Sequence, residues 1–148
     1  MKDKNYIIRQ ISVFIDNKPA TLAEMARHLA DNNINLRAFS LAETRNFGTT
    51  RIIVDNPDTC VEVLKKTRYH FIESEVLAVE VADRPGGMAD VLEFIAREHI
   101  SMEYAYAMIE KRDGSAVIIL RVDNPGKAIM ALLGKNIRLI TKEDIVLI

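Results

Sequence analysis

Val54-Asp55-Asn56-Pro57 recurs as Val122-Asp123-Asn124-Pro125, a spacing of 68 residues. Asn17-Lys18-Pro19 recurs as Asp83-Arg84-Pro85 at a spacing of 66, and Ala23, Ala30 and Ile34 return at the same 66 as Ala89, Ala96 and Ile100. Self-similarity at a fixed period marks a structural unit that has been duplicated. The change of spacing falls between Ile34 and Val54, and a hairpin turn is the natural place for it, because insertions there cost little. The chain therefore divides into two units, residues 1–75 and 76–148.

Within a unit the order of elements follows from periodicity. Residues 7–15, rich in Ile and Val, predict a strand; Leu22, Met25, Ala26 and Leu29 then fall at helical spacing, and Met88, Val91, Leu92 and Ile95 repeat that stripe. Asp31-Asn32-Asn33 ends the first helix, and a strand follows over residues 35–43. Asn46-Phe47-Gly48 and Arg112-Asp113-Gly114 predict hairpin turns in which Gly supplies a positive φ. The hairpins return through Thr50–Val54 and Ala116–Val122. Asp-Asn-Pro then opens a second helix, because Asp or Asn caps free N–H groups and Pro suits the first turn. Cys60, Val63 and Leu64 form its buried face, with Ile129, Leu132 and Leu133 as counterparts.

Strand, helix, strand, strand, helix, strand is the split βαβ, or ferredoxin-like, arrangement of an α+β protein: helices on one face of an antiparallel sheet. Units this small bury little core alone, so their sheets are expected to join side by side. Residues 76–81 fit two places, since Val76–Glu80 aligns with a closing strand at Asp144–Ile148 and Leu77–Val81 with the opening strand Ile11–Ile15. Three arrangements satisfy this: a short strand near Phe71 and Ile72 closing the first unit, one long strand serving both, or terminal strands exchanged between units.

Composition narrows the function. Of 148 residues 49% are apolar, and the net charge is −1, with 11 basic against 10 acidic residues up to residue 75 and 9 against 11 after it. Neither half has the basic field that nucleic acid or an anionic membrane requires. The apolar runs are strand-sized, and the start, carrying Lys2, Asp3, Lys4 and Arg9, holds no signal-peptide stretch. A single cysteine, Cys60, fits a reducing compartment, so the cytoplasm is expected. Cys60 reads as a small core residue, Tyr104 and Tyr106 as neighbours on one strand face, and His28 as surface. His28, His70 and His99 lack metal-ligand spacing, so no metal is expected. Phosphate-loop, dinucleotide, zinc-hydrolase and nucleophile-elbow motifs do not occur, so the chain is read as no enzyme and as needing no cofactor.

The turn between the first strand and first helix carries the most chemistry: Asp83-Arg84-Pro85-Gly86-Gly87-Met88 in the second unit, Asp16-Asn17-Lys18-Pro19-Ala20-Thr21-Leu22 in the first. Free N–H groups at a helix start attract a carboxylate, Gly86 and Gly87 leave the backbone bare, and Asp83 or Asp16 balances an ammonium. That combination suits a free α-amino acid. The same residues also read as an ordinary helix start with Asp83 as its cap.

With these motifs, His99-Ile100-Ser101 opening the next strand and Val122-Asp123-Asn124-Pro125 before the second helix, the chain closely resembles the ACT domain family, as two ACT domains in tandem. The resemblance implies small-molecule sensing, usually of amino acids, by paired units with ligand at their seam. It implies one pocket from Asp83, Arg84, Pro85, Gly86, Gly87 and Met88 with His99, Ile100 and Ser101. A second comes from Asn17, Lys18, Pro19, Ala20, Thr21 and Leu22 with Asn33, Ile34 and Asn35. Ala20 and Thr21, standing where the second unit has Gly86 and Gly87, set the two pockets apart. The expected partners are a free amino acid, a metabolic enzyme or regulator, and a second copy of the chain. The alternative is an ACT-type subunit that binds no ligand and regulates a metabolic enzyme by docking on it.

Overall fold

The computed structural model describes residues 2–16, 18, 20–43, 45, 47–109 and 113–147. They form two compact units: unit one is residues 9–74, and unit two is the stretch up to residue 8 together with everything from residue 75. The first eight residues thus group with the second unit, not with the first. A 3-10 turn at Lys2–Tyr6 brings Tyr6 and Ile7 onto unit two's core, and the Lys142 N–H donates to the Asn5 carbonyl at 2.8 Å.

Unit one runs β1 (Ile8–Asp16), α1 (Thr21–Asp31), β2 (Leu36–Glu43), β3 (Phe47–Val54), α2 (Pro57–Lys65) and the opening residues of β4 (His70–Ala82). β3 lies antiparallel to both β1 and β2, with Val13 and Leu41 each opposite Thr50. Ile11, Val13, Ile15, Ile52 and Val54 share one face, and Met25 and Leu29 of α1 and Cys60 and Leu64 of α2 pack on it, so both helices cover the same side. Each such fully buried side chain contributes about 1.5–3 kcal/mol.

Unit two repeats the plan with the rest of β4, α3 (Gly87–Arg97), β5 (Met102–Ala107), β6 (Ser115–Val122) and α4 (Pro125–Gly134). Its registers reproduce those of unit one pair for pair: Val79↔Ile118 and Ala107↔Ile118 stand where Val13↔Thr50 and Leu41↔Thr50 stand, and both second strands carry the same irregularity, Leu36/Ala38 and Met102/Tyr104. The spacing has already changed from 66 at Leu41 to 68 at Gly48, so the difference lies in the hairpin turn.

The repeated Val-Asp-Asn-Pro explains itself in this frame. Pro57 and Pro125 open α2 and α4, and the Asn56 and Asn124 side chains accept from the N–H groups of Thr59 and Lys127, each at 3.1 Å. Asp55 and Asp123 reach back to the second strand, accepting from the Asn35 and Ser101 N–H groups at 3.0 and 3.2 Å. Asn124→Ala removes one such cap and is expected to cost about 1 kcal/mol, a melting-point loss of about 2–4 °C by calorimetry; an unchanged melting point contradicts the cap.

One of the three arrangements open for residues 76–81 is realised, and three expectations are corrected. Residues 76–81 belong to one uninterrupted strand, β4, which has neither Pro nor Gly to break it and whose Val76, Leu77, Ala78 and Val79 are buried in succession. Where a closing strand is expected, Asp144–Leu147 is instead a short helix, α5, started where the Asp144 N–H donates to Thr141 Oγ1 at 3.1 Å, and Ile148 lies outside the described residues. The pairing moves upstream, with Leu139 bridging Val79. Gly48 sits inside β3 opposite Ile15, not in a turn, and takes no positive φ, whereas Gly114 does at 72°. Leu133 is exposed, because the buried face of α4 is Ala128, Ile129 and Leu132. Asn46 and Arg112 of the predicted turns lie outside the described residues.

Cys60 is wholly buried, and burial first, then the carboxylates of Asp55 and Glu73, push its thiol up to about 11. Its neutral form is therefore kept, and the associated stability is lost only as pH climbs toward that value. Iodoacetamide at pH 8 is expected to label Cys60 in denaturant and leave the native protein unmodified; rapid native labelling contradicts this placement.

Candidate functional site

The β4–α3 loop begins at Ala82 and turns on Gly86, whose φ of 87° is a left-handed conformation that suits glycine. Gly87 opens α3, and a Cβ there would stand 1.9 Å from the Ala82 carbonyl oxygen, so its lack of a side chain serves the chain's own backbone rather than a ligand. The Gly87 N–H donates to the Arg84 carbonyl at 3.0 Å, and the first intrahelical bond runs from the Asp90 N–H to Gly86 at 2.9 Å. Met88 and Ala89 lie between them, their N–H groups in the first turn without an intrahelical acceptor. The Arg84 guanidinium lies along this end, donating to the Pro85 carbonyl at 3.0 Å and to Asp90 Oδ2 at 2.9 Å.

A cavity of about 310 Å³ opens beside this loop within unit two. Its walls are Val81 and Ala82 of β4, Asp83 and Arg84 of the loop, Met88 of α3, Ala105, Tyr106 and Ala107 of β5, and Ala116 and Ile118 of β6. Small apolar side chains line most of it, and a helix start sits at the rim. That combination of an apolar body with a few placed polar groups is what a small amphiphilic ligand needs. A second hollow, about 440 Å³, lies on the other side of the loop. Its charges pair among themselves, Glu80 with Arg138 at 3.4 Å and Arg84 with Asp90 at 2.9 Å.

Of the residues nominated from the sequence, Asp83, Arg84 and Met88 line the cavity, and Pro85, Gly86 and Gly87 build its loop. His99, Ile100 and Ser101 lie at the other end of α3, whose eleven residues span about 16 Å. There they stop the helix: His99 takes a φ of 55° and donates to Ala96, the Ile100 N–H donates to Ile95, and Ser101 is tied to Asp123. Within unit two the fold therefore separates the two halves of the nominated pocket.

Unit one separates them likewise. Asn33, with a φ of 58°, ends α1, Ile34 is buried in the core, and Asn35 is tied to Asp55. At the loop end the Lys18 N–H donates to Asp16 at 2.8 Å and the Thr21 N–H to Lys18 at 3.1 Å; Leu22 packs on the core. Ala20 caps α1 in a right-handed conformation, so this loop is built differently from the one on Gly86. Asn17 and Pro19 lie outside the described residues.

Sequence reading missed Val81, Ala82, Ala105, Tyr106, Ala107, Ala116 and Ile118 as walls of the cavity. A signal for them exists: at aligned positions β5 has Ala105 and Ala107 where β2 has Phe39 and Leu41.

A pair of α+β units, one of them holding a small, mostly apolar cavity, is the class this geometry defines. The family model for an ACT domain pair matches residues 6–148, and the chain belongs to that family. Among solved structures, protein BT0572 from Bacteroides thetaiotaomicron is similar at 32% identity over 95% of this chain and 96% of that one, with a TM-score of 0.89. The regulatory subunit of aspartate kinase from Thermus thermophilus, in a ligand-free form, is similar in fold at 14% identity over 88% and 94%, with a TM-score of 0.66. Its counterpart from Thermus flavus has 14% identity over 85% and 90%, with a TM-score of 0.55. No curated protein matches the sequence significantly. Among the described residues no helix is long and apolar enough to cross a membrane.

Proposed function

We propose that the chain is a non-catalytic, cytoplasmic regulatory protein that binds a free amino acid, with the ligand held in the cavity of unit two. The observation that carries this reading is that cavity itself, 310 Å³ of mostly apolar wall with the first turn of α3 at its rim. The ligand carboxylate accepts from the Met88 and Ala89 N–H groups, where the helix dipole favours negative charge. Asp83, on the wall of the cavity, balances the ammonium. Family membership supports the regulatory part, as do fold relatives described as regulatory subunits of aspartate kinase.

Binding alone transmits nothing. A ligand shifts an equilibrium only by its unequal affinity for two states, so the output passes to a metabolic enzyme, a regulator or a second copy that reads the filled state. The test is a thermal-shift screen of the twenty amino acids. At a hundredfold excess over Kd the cognate one stabilises the protein by about 2.7 kcal/mol, a rise of about 5–10 °C. A flat response to all of them at millimolar concentration overturns amino-acid binding and favours a subunit that acts by docking alone.

A further inference from the structure

The two units share their registers but differ in what stands on the helix-facing side of β2 and β5. In unit one Phe39 and Leu41 face Ile52 and Thr50 across the strand pair; in unit two Ala105 and Ala107 face Leu120 and Ile118. Gly48 marks where the Leu41 side chain goes: a Cβ on Gly48 would lie 3.3 Å from Leu41 Cδ1 and 3.4 Å from Ile15 Cγ1. Leu41 therefore lies over the β3 position that matches Ala116, beside the β1 position that matches Val81. Ala116, Val81 and Ala107 are three walls of unit two's cavity. A corner that is open in unit two is thus covered in unit one by the half-exposed Leu41 side chain.

Resting on the amino-acid reading above, we infer that the ligand has an uncharged, apolar side chain and that each chain binds one, in unit two. The cavity includes the corner over which Leu41 lies in unit one, and its apolar walls include Val81, Met88, Ala105, Ala107, Ala116 and Ile118. A charged side chain placed among them loses its hydration and gains no partner. Of the two charged walls, Arg84 is paired with Asp90, and Asp83 is the group assigned to the ligand ammonium. Leu41 acts as a built-in occupant that makes the first pocket redundant.

Isothermal calorimetry on the full chain tests this with leucine, isoleucine, valine, methionine and phenylalanine against lysine, arginine, aspartate and glutamate. One of the first group is expected to bind with one equivalent per chain. Ala107→Leu, which imports the residue unit one already tolerates, is expected to weaken it about tenfold or more, with Ala107→Val giving a smaller loss should the larger variant fold poorly. Tighter binding of a charged amino acid, or two equivalents per chain, overturns this inference and leaves amino-acid binding standing. Unaltered affinity in a folded Ala107→Leu variant overturns it as well. If no amino acid binds, the amino-acid reading fails and this inference fails with it.

Discussion

Gly87→Ala is expected to lower the stability of the protein by about 1–3 kcal/mol and its melting temperature by several degrees. The new methyl group would stand 1.9 Å from the Ala82 carbonyl oxygen and 2.9 Å from its carbon, and backbone cannot swing aside as a flexible side chain does. Relief requires α3 to move off the end of β4, which carries Met88 away from the cavity it lines. Under the proposed amino-acid binding, the same variant is also expected to lose ligand affinity. Gly126→Ala is the matched control: its Cβ would meet Asn124 Oδ1 at 3.8 Å, an ordinary contact, inside a helix where Ala is preferred. That substitution is expected to stabilise by about 0.4–1 kcal/mol. Equal melting points for the two variants would contradict the close approach at Gly87.

Thr50→Val is expected to act in the opposite direction, raising stability by about 1–3 kcal/mol. Thr50 is fully buried on the helix-facing side of β3, and its hydroxyl has no hydrogen-bond partner among the described residues. Folding strips that hydroxyl of water and returns nothing. Val has nearly the same shape, keeps the β-branched geometry a strand favours, and removes the unsatisfied group. Unit two already carries the apolar Ile118 at the matching register. Denaturant titration reads the effect as a higher midpoint with unchanged slope; a lower midpoint would mean the hydroxyl is satisfied in solution.

The elements whose local chemistry is self-sufficient were legible in the sequence. Asn56-Pro57 and Asn124-Pro125 state a cap and a helix start in adjacent residues, and both helices begin there. The stripe Leu22, Met25, Ala26, Leu29 needs only periodicity, and Met25 and Leu29 are fully buried. Ile145, Val146 and Leu147 misled because an apolar, β-branched run reads as strand, while the Asp144 and Ile145 N–H groups both donate to Thr141 and start a helix there. His99 and Asn33 drew a functional reading from the resemblance, and both hold the positive φ that ends a helix, a duty legible for Asn33 in its turn-prone run but not for His99.

The cavity was hidden for a different reason. It is made by side chains that are missing, Ala105, Ala107 and Ala116, and an absence acquires meaning only once the strand register says what it faces. The loop residues Asp83, Arg84 and Met88 were found because a helix start with glycines carries its chemistry in one contiguous stretch. The two strands behind them contribute residues far apart in sequence.

Amide chemical shifts, followed by two-dimensional nitrogen–proton NMR while leucine, isoleucine, valine, methionine and phenylalanine are added together at millimolar concentration, test the whole account at the atoms it names. The Met88 and Ala89 signals are expected to move as their N–H groups take up a carboxylate, joined by Ala105 and Ala107 behind them, while Leu22 and Ala23 at the start of α1 stay in place. Still signals at Met88 and Ala89, or movement centred on Leu22 and Ala23, would contradict it.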